Sequence, residues 1–97
     1  METYVILRRH GFRDGDDLRA AAERSTIEGE EMSDGVRWIR SYVLAEPDGQ
    51  LGTVCIYQAT SPEAVLEHAR RADLPADEVI PSPDTVIVRP DPEPVPA

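Results

Sequence analysis

Three predicted strands carry, at every second position, side chains that could bind a small molecule. Successive side chains of a strand point to opposite faces of its sheet, so residues of one parity share a face. The candidate ligand-binding residues obtained in this way are Tyr4, Arg8, Trp38, Arg40, Tyr42, Cys55 and Tyr57. Aromatic rings, hydroxyls, guanidinium groups and a thiol on one face are the groups with which a pocket orients a small ligand.

His68 is the candidate for metal or proton chemistry. It lies in the stretch PEAVLEHARR, whose apolar residues mark the buried face of a predicted helix. A step of about 100° per residue places His68 about 60° from the centre of that face, where it is half-shielded from water. A neutral imidazole there could accept a proton or bind a metal ion, and Cys55 is a second candidate ligand; the family resemblance described below adds Glu67. The alternative is a structural histidine that is hydrogen-bonded to a nearby carbonyl.

Composition and charge limit the class of protein. The 97 residues suffice for one small domain. Ten arginines and nineteen acidic residues give a net charge of −9, so the chain repels phosphate backbones and nucleic acid is not an expected partner. Apolar runs such as residues 5–7 are far shorter than the ~20 residues of a membrane-spanning helix, so no membrane association and a cytoplasmic location are expected. The single cysteine excludes an intramolecular disulfide.

The elements that must position these side chains follow from periodicity and breakers. A strand is predicted at 3–9, a helix capped by Asp14 and ended by residues 33–35, a hairpin of strands 36–46 and 51–59, and a helix that begins at Ser61 and ends before Pro75. The last strand is either regular over 85–88 or a broken edge strand within 77–88, because Pro81 and Pro83 cannot donate to a ladder.

The order βαββαβ predicts an α+β fold of the ferredoxin-like class, a four-stranded antiparallel sheet with both helices on one face. It spans residues 1–88, and the proline-rich segment 89–97 is expected to be disordered. We expect the helices to cover the aliphatic parity set, which is Val5, Leu7, Ile39, Val43, Val54 and Ile56. The candidate ligand-binding residues then lie on the uncovered face, beneath a second subunit or a ligand, if no bulge shifts the alternation.

The stretches GVRWIRSYV (35–43), CIYQA (55–59) and HARRADLPADEV (68–79) resemble a family of small bacterial proteins. It is a domain-of-unknown-function family of ferredoxin-like fold, and some of its members are described as nickel-binding. The resemblance implies a homodimer of the dimeric α+β-barrel type, joined through the sheets, and the binding of a divalent metal, nickel or zinc, in some members. His68 matches the histidine of the helix motif, and Cys55 and Tyr57 match the strand motif.

Two departures from that family bear on the metal. Gln58 stands where the family usually has glutamate, and an amide cannot serve as an anionic ligand. The chain also has only two histidines, whereas the nickel-binding relatives are richer in them. A nickel site would therefore need carboxylates such as Glu67 or Glu78, or a second subunit.

Three functions remain open. The first is a dimeric binding protein for a small ligand or a transition-metal ion such as nickel. The second is a cofactor-independent dimeric α+β-barrel enzyme, of monooxygenase or cyclase type, that acts on an aromatic or polyketide-like substrate. It would use His68 as base, Tyr42 or Tyr57 as proton donor and Arg40 as oxyanion partner. The third is an interaction module without a pocket.

Overall fold

A computed structural model of the chain describes residues 1–93 and has the predicted order of elements. These are β1 (Glu2–Phe12), α1 (Gly15–Glu31), β2 (Val36–Ala45), β3 (Leu51–Ala59), α2 (Pro62–Arg71) and β4 (Glu78–Ser82). The strands form one antiparallel sheet in the order β2-β3-β1-β4. The ferredoxin-like class is confirmed. No helix among residues 1–93 is long and apolar enough to cross a membrane.

Both helices begin where side-chain caps predict. The carboxylate of Asp14 accepts a hydrogen bond from the amide of Asp17 at 2.9 Å. The hydroxyl of Ser61 accepts one from the amide of Ala64 at 3.1 Å, and Pro62 occupies the first turn of α2. Each cap satisfies an amide that has no partner within the helix, so these two boundaries follow from local sequence.

The last strand lies within residues 77–88, as the broken-edge-strand alternative predicted, and ends before residue 85. β4 pairs with β1 over Glu78–Ser82, with Pro81 opposite Tyr4, and residues 86–88 lie exposed beyond it. The broken edge strand is therefore right and a regular strand over 85–88 is wrong. Pro81 is tolerated because β4 is at the edge of the sheet, where one row of amides needs no partner.

The assignment of the two sheet faces is wrong for β1 and β3. Tyr4, Arg8, Cys55 and Tyr57 are buried beneath the helices, whereas the aliphatic residues of the other parity are only half-buried, on the open face. The physical reason lies in α1, whose buried residues are the small Ala21 and, one turn along, Ser25. Small side chains on the helix leave room for large side chains on the sheet face beneath it. Alternation along a strand therefore sorts residues into two faces but does not show which face the helices cover.

A β-bulge separates the members of the candidate set that lie on β2. Trp38 is opposite Tyr57, but the register then shifts, and Arg40 is opposite Ile56 and Tyr42 opposite Val54. Trp38 thus stays on the side of the helices, while Arg40 and Tyr42 lie on the open face. An extra residue in one strand moves every later side chain of that strand to the opposite face from the one that simple alternation predicts.

The beginning of the proline-rich segment lies over the open face. The hydroxyl of Tyr42 donates to Asp91 Oδ1 at 2.8 Å, and Arg40 pairs with the same carboxylate at 3.3 Å. Residues 94–97 of the segment predicted to be disordered lie outside the described residues. The disorder of 89–97 and the domain boundary at 88 stay predictions.

Gly52 lets β3 approach β1 beside Arg8. A Cβ at this position would lie 2.8 Å from the Arg8 carbonyl oxygen and 2.7 Å from Glu46 Oε1. We expect Gly52→Ala to destabilise the fold by about 1–3 kcal/mol, the usual range for overpacking. The melting temperature should fall by about 4–8 °C per kcal/mol for a domain of this size.

Gly15→Ala is the matched control for Gly52→Ala, because a Cβ at Gly15 has nothing within 4 Å. Its melting temperature should not fall in a calorimetric or circular dichroism scan. Equal melting temperatures for the two variants would show that the contact at Gly52 is not tight.

Candidate functional site

A cavity of about 270 Å³ lies between α1 and the sheet. We call it the α1 cavity, and its lining residues are Arg8, Phe12, Leu18, Ala21, Ala22, Ser25, Trp38, Ser41, Val43, Thr53, Cys55, Tyr57 and Leu74. Trp38 and Val43 are 39% and 54% exposed and border it on the solvent side. The volume is slightly below the ~300–1,000 Å³ of pockets for drug-sized ligands, so this cavity suits a smaller molecule.

Arg8 brings a positive charge into the α1 cavity. Its side chain is 1% exposed, and none of the three guanidinium nitrogens has a hydrogen-bond partner among residues 1–93. The guanidinium carbon lies 5.9 Å from the centre of the Tyr57 ring, which offers a cation–π contact. A guanidinium stays charged in proteins. Burying it without hydrogen-bond acceptors for its N–H groups costs free energy, unless a bound ligand supplies those acceptors.

Tyr57 is in contact with groups from several elements. Its ring stacks on Trp38 at a centroid distance of 6.2 Å and lies 5.4 Å from the ring of His68. Its hydroxyl is 3.1 Å from Ser25 Oγ on α1. Burial raises the pKa of Tyr57, against a smaller lowering by the Ser25 hydrogen bond, so the phenol is protonated at neutral pH.

A chain of hydrogen bonds runs along the sheet side of the cavity. The indole of Trp38 donates to Ser41 Oγ at 2.8 Å, Ser41 donates to Cys55 Sγ at 3.0 Å, and the thiol donates to Thr53 Oγ1 at 3.3 Å. Each hydrogen bond is donated in the same direction along this chain, from Trp38 toward Thr53. Thr53 is directly opposite Arg8 in the β1–β3 register, so the hydrogen-bonded chain ends at the cross-strand neighbour of Arg8, and both residues line the cavity.

His68 is fully buried rather than half-shielded. Its Nε2 lies 3.0 Å from the carbonyl oxygen of Ser25, and because a carbonyl only accepts, Nε2 carries the hydrogen. The structural alternative raised by the sequence is therefore present. Nδ1 has no partner among residues 1–93. Burial lowers the pKa of His68, with Arg8 adding to the lowering and the Ser25 bond opposing it, so the imidazole is neutral at neutral pH.

The predicted metal ligands are not gathered into one site. The thiol of Cys55 is engaged with two hydroxyls, and Glu67 is paired with Arg70, which lowers the pKa of Glu67. No group of three histidine, cysteine, aspartate or glutamate side chains among residues 1–93 could hold a metal ion. The described residues of a single chain therefore do not fit a nickel or zinc ion.

The structure divides the seven candidate ligand-binding residues into three groups. Those that line the α1 cavity are Arg8, Trp38, Cys55 and Tyr57. Tyr4 belongs to the adjoining hydrophobic core. Arg40 and Tyr42 lie on the opposite face, so the sheet separates them from His68 and the catalytic set of the enzyme alternative is only partly assembled.

Sequence reasoning did not single out Ser25, Ser41 or Thr53 as site residues. The sequence shows Ser25 only as the polar member of a stripe at helical spacing in α1 (18, 21, 22, 25 and 32), and Thr53 only as a residue two positions from Cys55 in the same strand. Ser41 was hidden by the bulge, which turns it to the side of the helices. A polar residue in a stripe of alanines was the one available signal for Ser25.

The comparisons with known proteins agree with this fold. The sequence profile of the family described as "Nickel responsive protein SCO4226-like" matches residues 4–81. The crystal structure of SCO4226 from Streptomyces coelicolor A3(2) superposes with a TM-score of 0.65 at 23% identity, covering 87% of this chain and 99% of that chain. At this identity the likeness shows the fold alone. No curated protein matches the sequence significantly.

Proposed function

The chain belongs to the SCO4226-like family of nickel responsive proteins, and we propose that it is a binding protein that holds one small molecule in the α1 cavity. The observation that carries this proposal is the cavity itself, about 270 Å³ between helix and sheet, lined by four of the seven candidate ligand-binding residues. Few convergent polar groups within a largely apolar lining are typical of a ligand site. The cytoplasmic location stays a prediction from the sequence.

Binding rather than catalysis is favoured by the chemistry of the lining. The residues that line the α1 cavity, all within the described part of the chain, include no carboxylate and no imidazole. Tyr57 is held protonated by burial, and Cys55 is hydrogen-bonded on both sides. A cofactor-independent oxygenase or cyclase needs a base within reach of its substrate, and the cavity itself supplies none.

Filling the α1 cavity should abolish ligand binding. Ala21 is buried on α1 and lines the cavity, so Ala21→Leu adds three carbon atoms to that space. We expect the untagged protein, incubated with a bacterial metabolite extract, to keep a small-molecule adduct in native mass spectrometry. The Ala21→Leu variant should lose it.

Ala20→Leu is the matched control, because Ala20 is the preceding residue of the same helix and is exposed. It should keep the adduct. The proposal is contradicted by an adduct that survives Ala21→Leu while that variant remains folded by circular dichroism, or by the absence of any adduct on the unmodified protein.

A response to nickel is the second candidate function. It is favoured by the family description and by the free, unprotonated Nδ1 of His68. Since residues 1–93 of one chain hold no three-ligand group, a nickel ion at His68 would need further ligands that the described residues do not supply. Coordination by imidazole and carboxylate oxygen suits nickel.

The nickel candidate predicts that His68→Ala abolishes nickel binding by the untagged protein in calorimetry at pH 7.5. His10→Ala, which removes the exposed imidazole beside Asp48, is the control and should leave it. Protons compete with the metal for an imidazole, and burial lowers the pKa of His68. Binding should therefore persist to below pH ~6.5, the usual imidazole value, and be lost on further acidification. Identical binding by the His68→Ala variant would remove the metal candidate.

We propose that a second copy of this chain covers the open face of the sheet together with the segment around Asp91, which already contacts Arg40 and Tyr42 there. Val5, Leu7, Val54 and Ile56 form a half-buried aliphatic surface there, and Tyr42 beside them is 45% exposed. A contiguous apolar surface on a small acidic protein is typical of an association site. This proposal keeps the dimer expected from the sequence but moves its interface to the aliphatic residues.

Ile56→Glu should convert the dimer to a monomer, because each copy would bury an added carboxylate in the interface, opposite an Arg40 that already pairs with Asp91. Light scattering measures the mass directly. Ile27→Glu makes the same change at an isoleucine on α1 that is 57% exposed and should leave the mass unchanged. A dimer that tolerates Ile56→Glu does not use this face.

A further inference from the structure

We propose that the ligand of the α1 cavity is a small organic carboxylate, whose anionic group binds Arg8 and Thr53 and whose apolar body packs against α1. This inference rests on the proposed binding function and names the chemical class of its ligand.

The first observation is the unmatched charge of Arg8. All three of its guanidinium nitrogens are buried and lack a partner among residues 1–93. Its sequence neighbour Arg9 instead donates to both carboxylate oxygens of Glu46, at 2.7 and 2.9 Å. Carboxylates are in excess, with nineteen acidic residues and ten arginines in the chain. Arg8 therefore has no carboxylate partner among residues 1–93 in spite of abundant anions, and the Tyr57 ring at 5.9 Å is its one described electrostatic contact.

The second observation is a further donor in the lining of the same cavity. The Thr53 hydroxyl accepts from the Cys55 thiol, and its own hydrogen is donated to no acceptor in the hydrogen bonds found among residues 1–93. Thr53 and Arg8 are cross-strand partners, and side chains of such a pair lie close together on one face. A guanidinium and a hydroxyl donor in the lining of one cavity suit the oxygens of a carboxylate, which Arg binds in a bidentate manner.

The apolar residues that line the α1 cavity indicate that the part of the ligand beyond its carboxylate is hydrocarbon. Leu18, Ala21 and Ala22 of α1, with Phe12 and Val43 of the sheet, present carbon to the cavity. One cation balances one negative charge, so a phosphate ester with two charges would leave one of them unpaired in an apolar space. A carboxylate with a short hydrocarbon body satisfies both the charge and the lining.

The test uses hexanoate and its uncharged isostere hexanamide as probes, with binding followed by ligand-observed NMR at pH 7.5. Hexanoate should bind at least about tenfold more tightly, because hydrogen bonds to a charged group are the stronger ones. Across butanoate, pentanoate and hexanoate, affinity should rise roughly fourfold per methylene, as expected from ~0.8 kcal/mol per buried CH₂. Inorganic phosphate should compete poorly with hexanoate.

Variants at Arg8 separate its role from that of a structural cation. Arg8→Met should equalise the affinities for hexanoate and hexanamide, and its melting temperature without ligand should be no lower than that of the unmodified protein. Arg8→Lys, which keeps the charge without the bidentate fork, should keep part of the preference. Arg40→Met removes an arginine from the opposite sheet face and should leave the preference intact.

The outcomes distinguish this inference from the proposed function. Equal binding of hexanoate and hexanamide would overturn the carboxylate class while keeping the α1 cavity as a binding site. A preference that survives Arg8→Met, or phosphate that competes as well as hexanoate, would overturn the assignment of Arg8 to a carboxylate with an apolar body. Binding of neither probe would overturn this inference, and the metabolite experiment with the Ala21→Leu variant decides the proposed function separately.

Discussion

The buried guanidinium of Arg8 is the constraint on which the surrounding structure depends. A charge taken out of water needs compensation, and the fold provides it only in part, through the face of the Tyr57 ring at 5.9 Å. Gly52 permits the close approach of β3 to the Arg8 backbone, and Thr53 stands opposite it in the register. The Arg8 guanidinium therefore lies at the α1 cavity without a carboxylate partner among residues 1–93.

That space exists because α1 presents small side chains to the sheet. Ala21 and Ser25 are its buried residues, and Ser25 also fixes the helix on two sides. Its hydroxyl contacts that of Tyr57 at 3.1 Å on the sheet, and its carbonyl accepts from His68 at 3.0 Å on α2. A helix with few large apolar contacts is thereby held at a defined distance by hydrogen bonds, which are directional where apolar packing is not.

The sequence predicts the elements better than it predicts the site. Caps at Asp14 and Ser61 act within one turn of the chain, so the helix starts could be read locally. The covered face of the sheet depends instead on the size of α1 side chains packed against it, a tertiary property. Arg8 was placed in the correct parity set but on the wrong side. The bulge after Trp38 has no local signal of its own, so Arg40 and Tyr42 were grouped with residues that the sheet separates from them.

The two faces of the sheet therefore carry different physical problems. The covered face holds polar groups that need partners, with Arg8 and the Nδ1 of His68 unsatisfied among residues 1–93. The open face holds aliphatic carbon that needs cover, over which the segment with Asp91 lies. Because successive residues of β1 and β3 alternate between these faces, an occupant of one face touches no side chain of the other. The proposed ligand in the α1 cavity and the proposed second copy on the open face therefore depend on different side chains of the same strands.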